Sequence, residues 1–387
     1  MTLQPSEREI SLIRKILEVL SVEIGPRFGG TEGEHRAAFF LRDAFEEAGA
    51  PADLQRYGFI GWELDRPPMV RVVDPDVREL RAAPIVYSSS TPPGGVSGFV
   101  EPFGVKRLIP GLYEMQTFAV RTGHGDIAAT LVDSEAADAI PLLNPDPMYR
   151  EPLIAIATDD AKYLHRMCSN TRVQVAVEMD ARLVPDSIAY NVIARYRGEP
   201  DSDHRFVVNA HYDTQLDTPG CYDNASGVAG LFGLLSKLQE QRTRVNVDLV
   251  AVASEEIGLI GSSYLARDLV ERGEMSGIEA CICFDQISAG ERLWLWAGPD
   301  SLRDKIVASA RRARLDQLGD VDVDAPMKGC DMWPFWVEGI PAALFMWWRL
   351  ADYHRRTDTI EKVEMGKLTG CVEAAHYLLC DLAGIHT

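Results

Sequence analysis

The chain has 387 residues, too many for one small core, so two or three domains, or one large domain carrying an insertion, are expected. Hydrophobic residues make up 46% and charged residues 25%, a globular balance that excludes a disordered chain. Lys and Arg total 39 against 58 Asp and Glu, a formal charge of −19 with no basic stripe, which argues against nucleic-acid or anionic-membrane partners.

The first stretch, MTLQPSEREISLIRKILEVL, interrupts its apolar residues with charges at helical spacing and reads as a surface helix, not a signal peptide. A Gly-rich segment follows (Ile24 to Glu34), then an amphipathic helix near His35 to Ala48. From Asp65 the chain turns rich in Pro, Val and short β-like runs, so an inserted β-rich domain is expected over 65–185, splitting a larger domain into 1–64 and 186–387. That larger domain alternates strands (NVIARY, RFVVNA, NVDLVAVAS, EACICFD, AALFMW) with helices near 225–241, 259–272, 300–318 and 358–383. Nearly continuous apolar strands call for cover on both faces, hence an α/β three-layer (αβα) fold. No run reaches the roughly 18 to 20 apolar residues that span a bilayer. Seven cysteines without a C-x-x-C pair suit reduced thiols, so a cytoplasmic location is expected.

In open α/β sheets chemistry gathers at the carboxyl ends of strands. There stand His211 and Asp213, Glu255 and Glu256, Asp285 and, after a short loop, His354, with Asp223 in a turn before a helix. Two imidazoles and several carboxylates repel one another's charges unless a cation joins them, and this donor mixture suits Zn²⁺ best, with Mn²⁺ or Co²⁺ also fitting. Three ligand carboxylates and a bridging hydroxide are neutralised by two divalent ions, not one. On extended backbone Asp213 shares a face with His211 and is expected to accept its free imidazole N–H. Adjacent strand residues point oppositely, so one of Glu255 and Glu256 is expected to bind metal while the other serves as general base.

These residues resemble the M28 family of zinc metallopeptidases, typified by bacterial leucyl aminopeptidases and glutamate carboxypeptidase. The pieces are H-Y-D at 211–213, Y-D-N-A-S-G at 222–227, S-E-E-I-G-L-I-G-S at 254–262, Asp285, Y-H-x-x-x-D-T at 353–359, and G-P-R-x-G-G-x-x-G-E at 25–34. The resemblance implies a zinc-exopeptidase-like fold with a central mixed sheet. It further implies that Asp223 bridges two Zn²⁺ per chain, that His211 and Asp285 complete one site and Glu256 and His354 the other. Glu255 is then the general base, Asp213 stands behind His211, and the peptide bond after Asp223 is cis. The run APIVYSSS and the run EPLIAIAT liken the insertion to a protease-associated domain.

The reading is thus a metallo-aminopeptidase acting on peptides. A carboxypeptidase-like hydrolase of the same family, a glutaminyl-cyclase-like acyltransferase and a non-catalytic scaffold are the alternatives, and a homo-oligomer is left open. Relatives often show S-D-H-x-P-F where this chain has Cys330-Asp331-Met332-Trp333-Pro334-Phe335. Asp331 is therefore expected either to meet the substrate's amino end or to cap a helix over 332–337. Tyr353, Arg355 and Trp347 complete the candidate substrate-binding set.

Overall fold

A computed structural model describes residues 5–109, 113–134, 136, 138, 140–143, 151–198, 202, 204–348 and 350–385. The chain divides into a discontinuous unit, Met1–Phe59 with Ile188–Thr387, and an inserted unit, Ile60–Ser187. Two long strands, Ala52–Asp74 and Gln174–Arg197, carry the backbone through the two crossing points.

In the discontinuous unit the sheet order is Asp320–Asp324, Arg292–Gly298, Ala342–Trp348, Ala280–Phe284, Arg205–His211, Asn246–Val252, then the end of Gln174–Arg197. The central strand Arg205–His211 runs parallel to both neighbours, and Ala280–Phe284 is parallel to Ala342–Trp348. Antiparallel pairs flank this parallel group, so the sheet is mixed. Side chains alternate between two cores: Phe206, Val208 and Ala210 join one cluster, while Val207, Val250, Val252 and Cys283 join the other. Helices cover both clusters, which makes three layers.

The first helix, Glu7–Glu18, starts at Ser6, whose hydroxyl accepts the Glu9 N–H, and it has acids in its first turn and Lys15 in its last. Several expected bounds shift. The helix expected over 300–318 ends at Arg312, because Arg314 takes a left-handed conformation (φ +61) and a 3-10 turn follows. The last helix begins only at Met365, after the 3-10 turn Ile360–Lys362. The strands Arg292–Gly298 and Asp320–Asp324 have no counterpart in the sequence reading; in the second, the Asp-Val alternation is half-exposed and resembles a loop.

The inserted unit is β-rich with its own core around Val70, Phe118, Leu131, Ile154 and Val175. The two runs likened to protease-associated domains form Ala82–Val86 and Leu153–Ile156, which pair antiparallel. One helix, Thr158–Cys168, lies in this unit where only strands are expected. Among the described residues no helix is long and apolar enough to cross a membrane.

Candidate metal centre

The site residues come from five places that the sheet brings to one edge. His211 ends its strand, Asp285 follows Ala280–Phe284, and Glu255 and Glu256 follow Asn246–Val252. Asp223 lies in the kinked turn Cys221–Ala225 with non-helical backbone (φ −117, ψ 90), and His354 sits in a loop with φ +56. The Asp223-Asn224 peptide bond is cis. Asn224 pins this turn: its Nδ2 donates to Phe284 O at 2.9 Å, and its Oδ1 accepts the N–H groups of Gly227 and Gln286. Only glycine fits at 227, since a Cβ there would sit 2.5 Å from the Phe284 carbonyl.

Two triads result. His211 Nε2 lies 3.2 Å from Asp223 Oδ1 and 3.4 Å from Asp285 Oδ1. His354 Nε2 lies 3.4 Å from Asp223 Oδ2 and 3.1 Å from Glu256 Oε2. Within each triad the ligand atoms fall within 4.8 Å of one another. Asp223 therefore faces one triad with each of its oxygens. His211, Asp223, Glu256 and Asp285 are buried, His354 is nearly so, and Glu255 is partly exposed.

Electrostatics explain what the triads want. Burial opposes charge on His211, yet Glu255 and the hydrogen bonds to Asp213, Asp223 and Asp285 outweigh it and hold the imidazole well above its ordinary value. For His354, burial is likewise overcome by Glu256 and Asp223, which push it up to about 10. Asp223 drops below the usual carboxylate range: burial acts to raise it, but hydrogen bonds from both imidazoles prevail. The acids thus demand positive charge at each triad. A divalent ion satisfies that demand where protons otherwise must, and frees each Nε2 lone pair for coordination. Asp285 Oδ1 is buried and, among the described residues, meets only His211 Nε2 at 3.4 Å, as an oxygen shared with a cation would. Donor types and placement fit zinc in either triad.

Asp213 stands behind His211 and also reaches a second loop. His211 Nδ1 is 3.3 Å from the Asp213 backbone carbonyl and 3.5 Å from its carboxylate. The carboxylate itself accepts the N–H groups of Glu255 (3.0 Å) and Glu256 (3.1 Å), tying one ligand loop to the other. Both glutamates lie in a turn beyond the strand end at Val252, so strand alternation is not what separates their roles. Burial pushes Glu255 well above the usual carboxylate range, with His211 opposing and Asp331 and Glu256 adding.

The candidate substrate residues divide. Trp347 is fully buried in the core beside Lys367 Nζ, 4.9 Å from its ring centroid, so the ring lines no cleft. Asp331 is 1% exposed, caps no helix, and stands close enough to His211, Asp213 and Asp285 to feel their charges. Burial holds it at about 7. Tyr353 stacks on the His354 ring with centroids 3.6 Å apart. Arg355 is half-buried beside His354.

Residues absent from the sequence reading also build the centre. Asp358 accepts the N–H groups of Tyr222 (2.7 Å) and Asp223 (3.0 Å); its only signal was its place in the 353–359 run. Gln215 and Gln286 hold ligand carboxylates. Arg27 is fully buried and donates to the carbonyls of Leu20, Gly25, Tyr212, Pro219 and Gly220, fixing the loop between His211 and Asp223. Burial lowers its pKa to about 10.

Residues 191–379 match the model of Peptidase family M28. Aminopeptidase YwaD of Bacillus subtilis is 21% identical over 94% of this chain and 83% of its own length. Carboxypeptidase Q of Mus musculus is 23% identical over 64% of this chain and 59% of its own. A probable zinc metalloprotease of Leptosphaeria maculans is 32% identical over 32% of each chain, so this chain spans about a third of that relative's length. A peptidase M28 precursor from Shewanella amazonensis shares the fold, with TM-score 0.79 at 19% identity over 97% of this chain and 94% of that one.

Proposed function

Through residues 191–379 the chain belongs to peptidase family M28, and from that premise we propose that it is a two-zinc exopeptidase that releases residues from the amino ends of peptides. The observation that carries this reading is the division of Asp223, one oxygen toward His211 and Asp285, the other toward His354 and Glu256. A carboxylate so placed serves two ions at once. When bound, the ions supply Lewis acidity toward the scissile carbonyl and acidify water to a pKa near 7.

The chain's own residues do the rest. His211, Asp223 and Asp285 hold one ion and Asp223, Glu256 and His354 the other. Glu255, partly exposed beside the ligand Glu256, takes a proton from the attacking water on its carboxylate and returns it to the leaving amine nitrogen. Asp213 sets the Glu255–Glu256 turn against the His211 loop through its two hydrogen bonds.

The choice of amino-terminal cleavage draws on the long match to an aminopeptidase. Arg355, half-buried next to His354, and the match to a carboxypeptidase favour a second reading, in which a substrate carboxylate pairs with that guanidinium. The deciding experiment measures zinc per chain and hydrolysis of peptides with free, amino-acetylated and carboxyl-amidated ends, before and after chelation. About two zinc ions and chelator-sensitive cleavage requiring a free amine are expected. Cleavage requiring a free carboxylate would turn the assignment to the second reading, and metal without turnover of any peptide would sink both.

A further inference from the structure

The two triads hold their ligand atoms by different means. On the His211 side the imidazole is held from behind by the Asp213 carbonyl at 3.3 Å. Among the described residues its carboxylate partner has no side-chain amide behind it: Asp285 Oδ1 faces His211 Nε2 at 3.4 Å, and Oδ2 accepts the weak Cys330 thiol at 3.2 Å. On the His354 side the pattern reverses. His354 Nδ1 has no hydrogen-bond partner, while both carboxylates are held by amides. Gln286 Nε2 donates to Asp223 Oδ2 at 3.1 Å, and Gln215 gives its backbone N–H to Glu256 Oε1 and its Nε2 to Oε2, each at 3.1 Å.

Both glutamines are buried and fixed in turn. Gln286 Oε1 accepts the Tyr222 hydroxyl at 2.8 Å, and Gln215 Nε2 also reaches the Glu256 carbonyl at 3.3 Å. A carboxylate oxygen has two lone-pair directions; an amide that occupies one leaves the other aimed at an ion and stops the carboxylate rotating. The amide brings no charge, so the oxygen stays fully anionic. Groups of this kind behind a ligand are worth about 10- to 100-fold in metal affinity.

We propose that Gln215 and Gln286 are positioning residues for one ion only, the one held by Asp223 Oδ2, Glu256 and His354, and that they set its affinity independently of the ion on the His211 side. This rests on the two-ion reading above. The test is calorimetric titration of the metal-free protein with Zn²⁺, in the natural sequence and in Gln215→Met and Gln286→Met, which keep side-chain length and remove the donor. A two-step curve is expected, with one step weakened about 10- to 100-fold in each variant and the other moved by less than about twofold. Among the residues of the two triads Gln215 hydrogen-bonds Glu256 alone, so its variant keeps the question open to an answer should Gln286→Met fail to fold. Equal weakening of both steps, or none of either, overturns the inference while two ions still bind. Uptake of a single ion by the natural sequence instead overturns the two-ion reading itself.

Discussion

Buried acids meet two fates in this chain. In the inserted unit Asp160 is 1% exposed and paired with Arg78 at 2.7 Å and Arg81 at 3.0 Å, with the Arg81 N–H as a third donor. In the discontinuous unit Asp213, Asp223, Glu256 and Asp285 are as deeply buried, and no described lysine or arginine lies within ion-pair distance of them. The same unit pairs buried Asp248 with Arg197 and Arg205, and buried Glu9 and Glu373 with Lys237. Asp160, Asp248, Glu9 and Glu373 thus each have a guanidinium or ammonium partner. Where charge is left to two imidazoles, the vacancy in the charge balance marks chemistry.

The strongest way to break this contrast is Asp223→Ala. It removes an oxygen from both triads, so zinc content should fall for both ions and peptidase activity to background, read by elemental analysis and rate. Glu255→Gln should keep both ions and lose about a hundred- to ten-thousandfold in kcat; near-normal turnover would remove Glu255 as the base. The third test uses pH. In the metal-free protein Asp331 and Asp358 stand at about 7 against 3.8, burial being the main cause, and His354 at about 10 against 6.5. Each is raised on folding, so its stabilisation is complete below the lower value and lost as pH climbs through the higher one. Metal-free protein should therefore melt at lower temperature as pH rises, between about 4 and 7 for the acids and about 6.5 and 10 for His354. Zinc-loaded protein should lose the second part of that slope, because loading displaces the imidazole proton. The smallest effect is expected of Asp160→Asn: a stability loss of about 1 to 3 kcal/mol, toward the low end because its arginines are half-exposed, with zinc content unchanged.

Much of this centre was legible because chain position and residue type pointed the same way. His211, Asp285 and Glu256 follow apolar runs that could only be central strands, and the structure brings them together with Asp223 and His354. What stayed hidden depends on loop geometry. An amide such as Gln215 or Gln286 looks like any polar surface residue until the fold shows which oxygen it meets. Trp347 misled in the opposite direction: proximity in sequence to the site promised access, but the packing of its strand keeps the ring in the core. Asp213 was placed correctly beside His211, yet its main partners are two backbone amides some 42 and 43 residues away.

The buried Arg27 has a consequence for the order of synthesis. Its carbonyl partners at Tyr212, Pro219 and Gly220 lie 185 to 193 residues farther along the chain. At about 5 to 20 residues per second, the guanidinium waits roughly ten to forty seconds on the ribosome before the groups that will desolvate it exist. Until then the amino-terminal segment holds a hydrated cation where the finished protein has a dry one. Closure of the loop between His211 and Asp223 thus waits until the chain has passed its midpoint, whatever the speed of its individual helices.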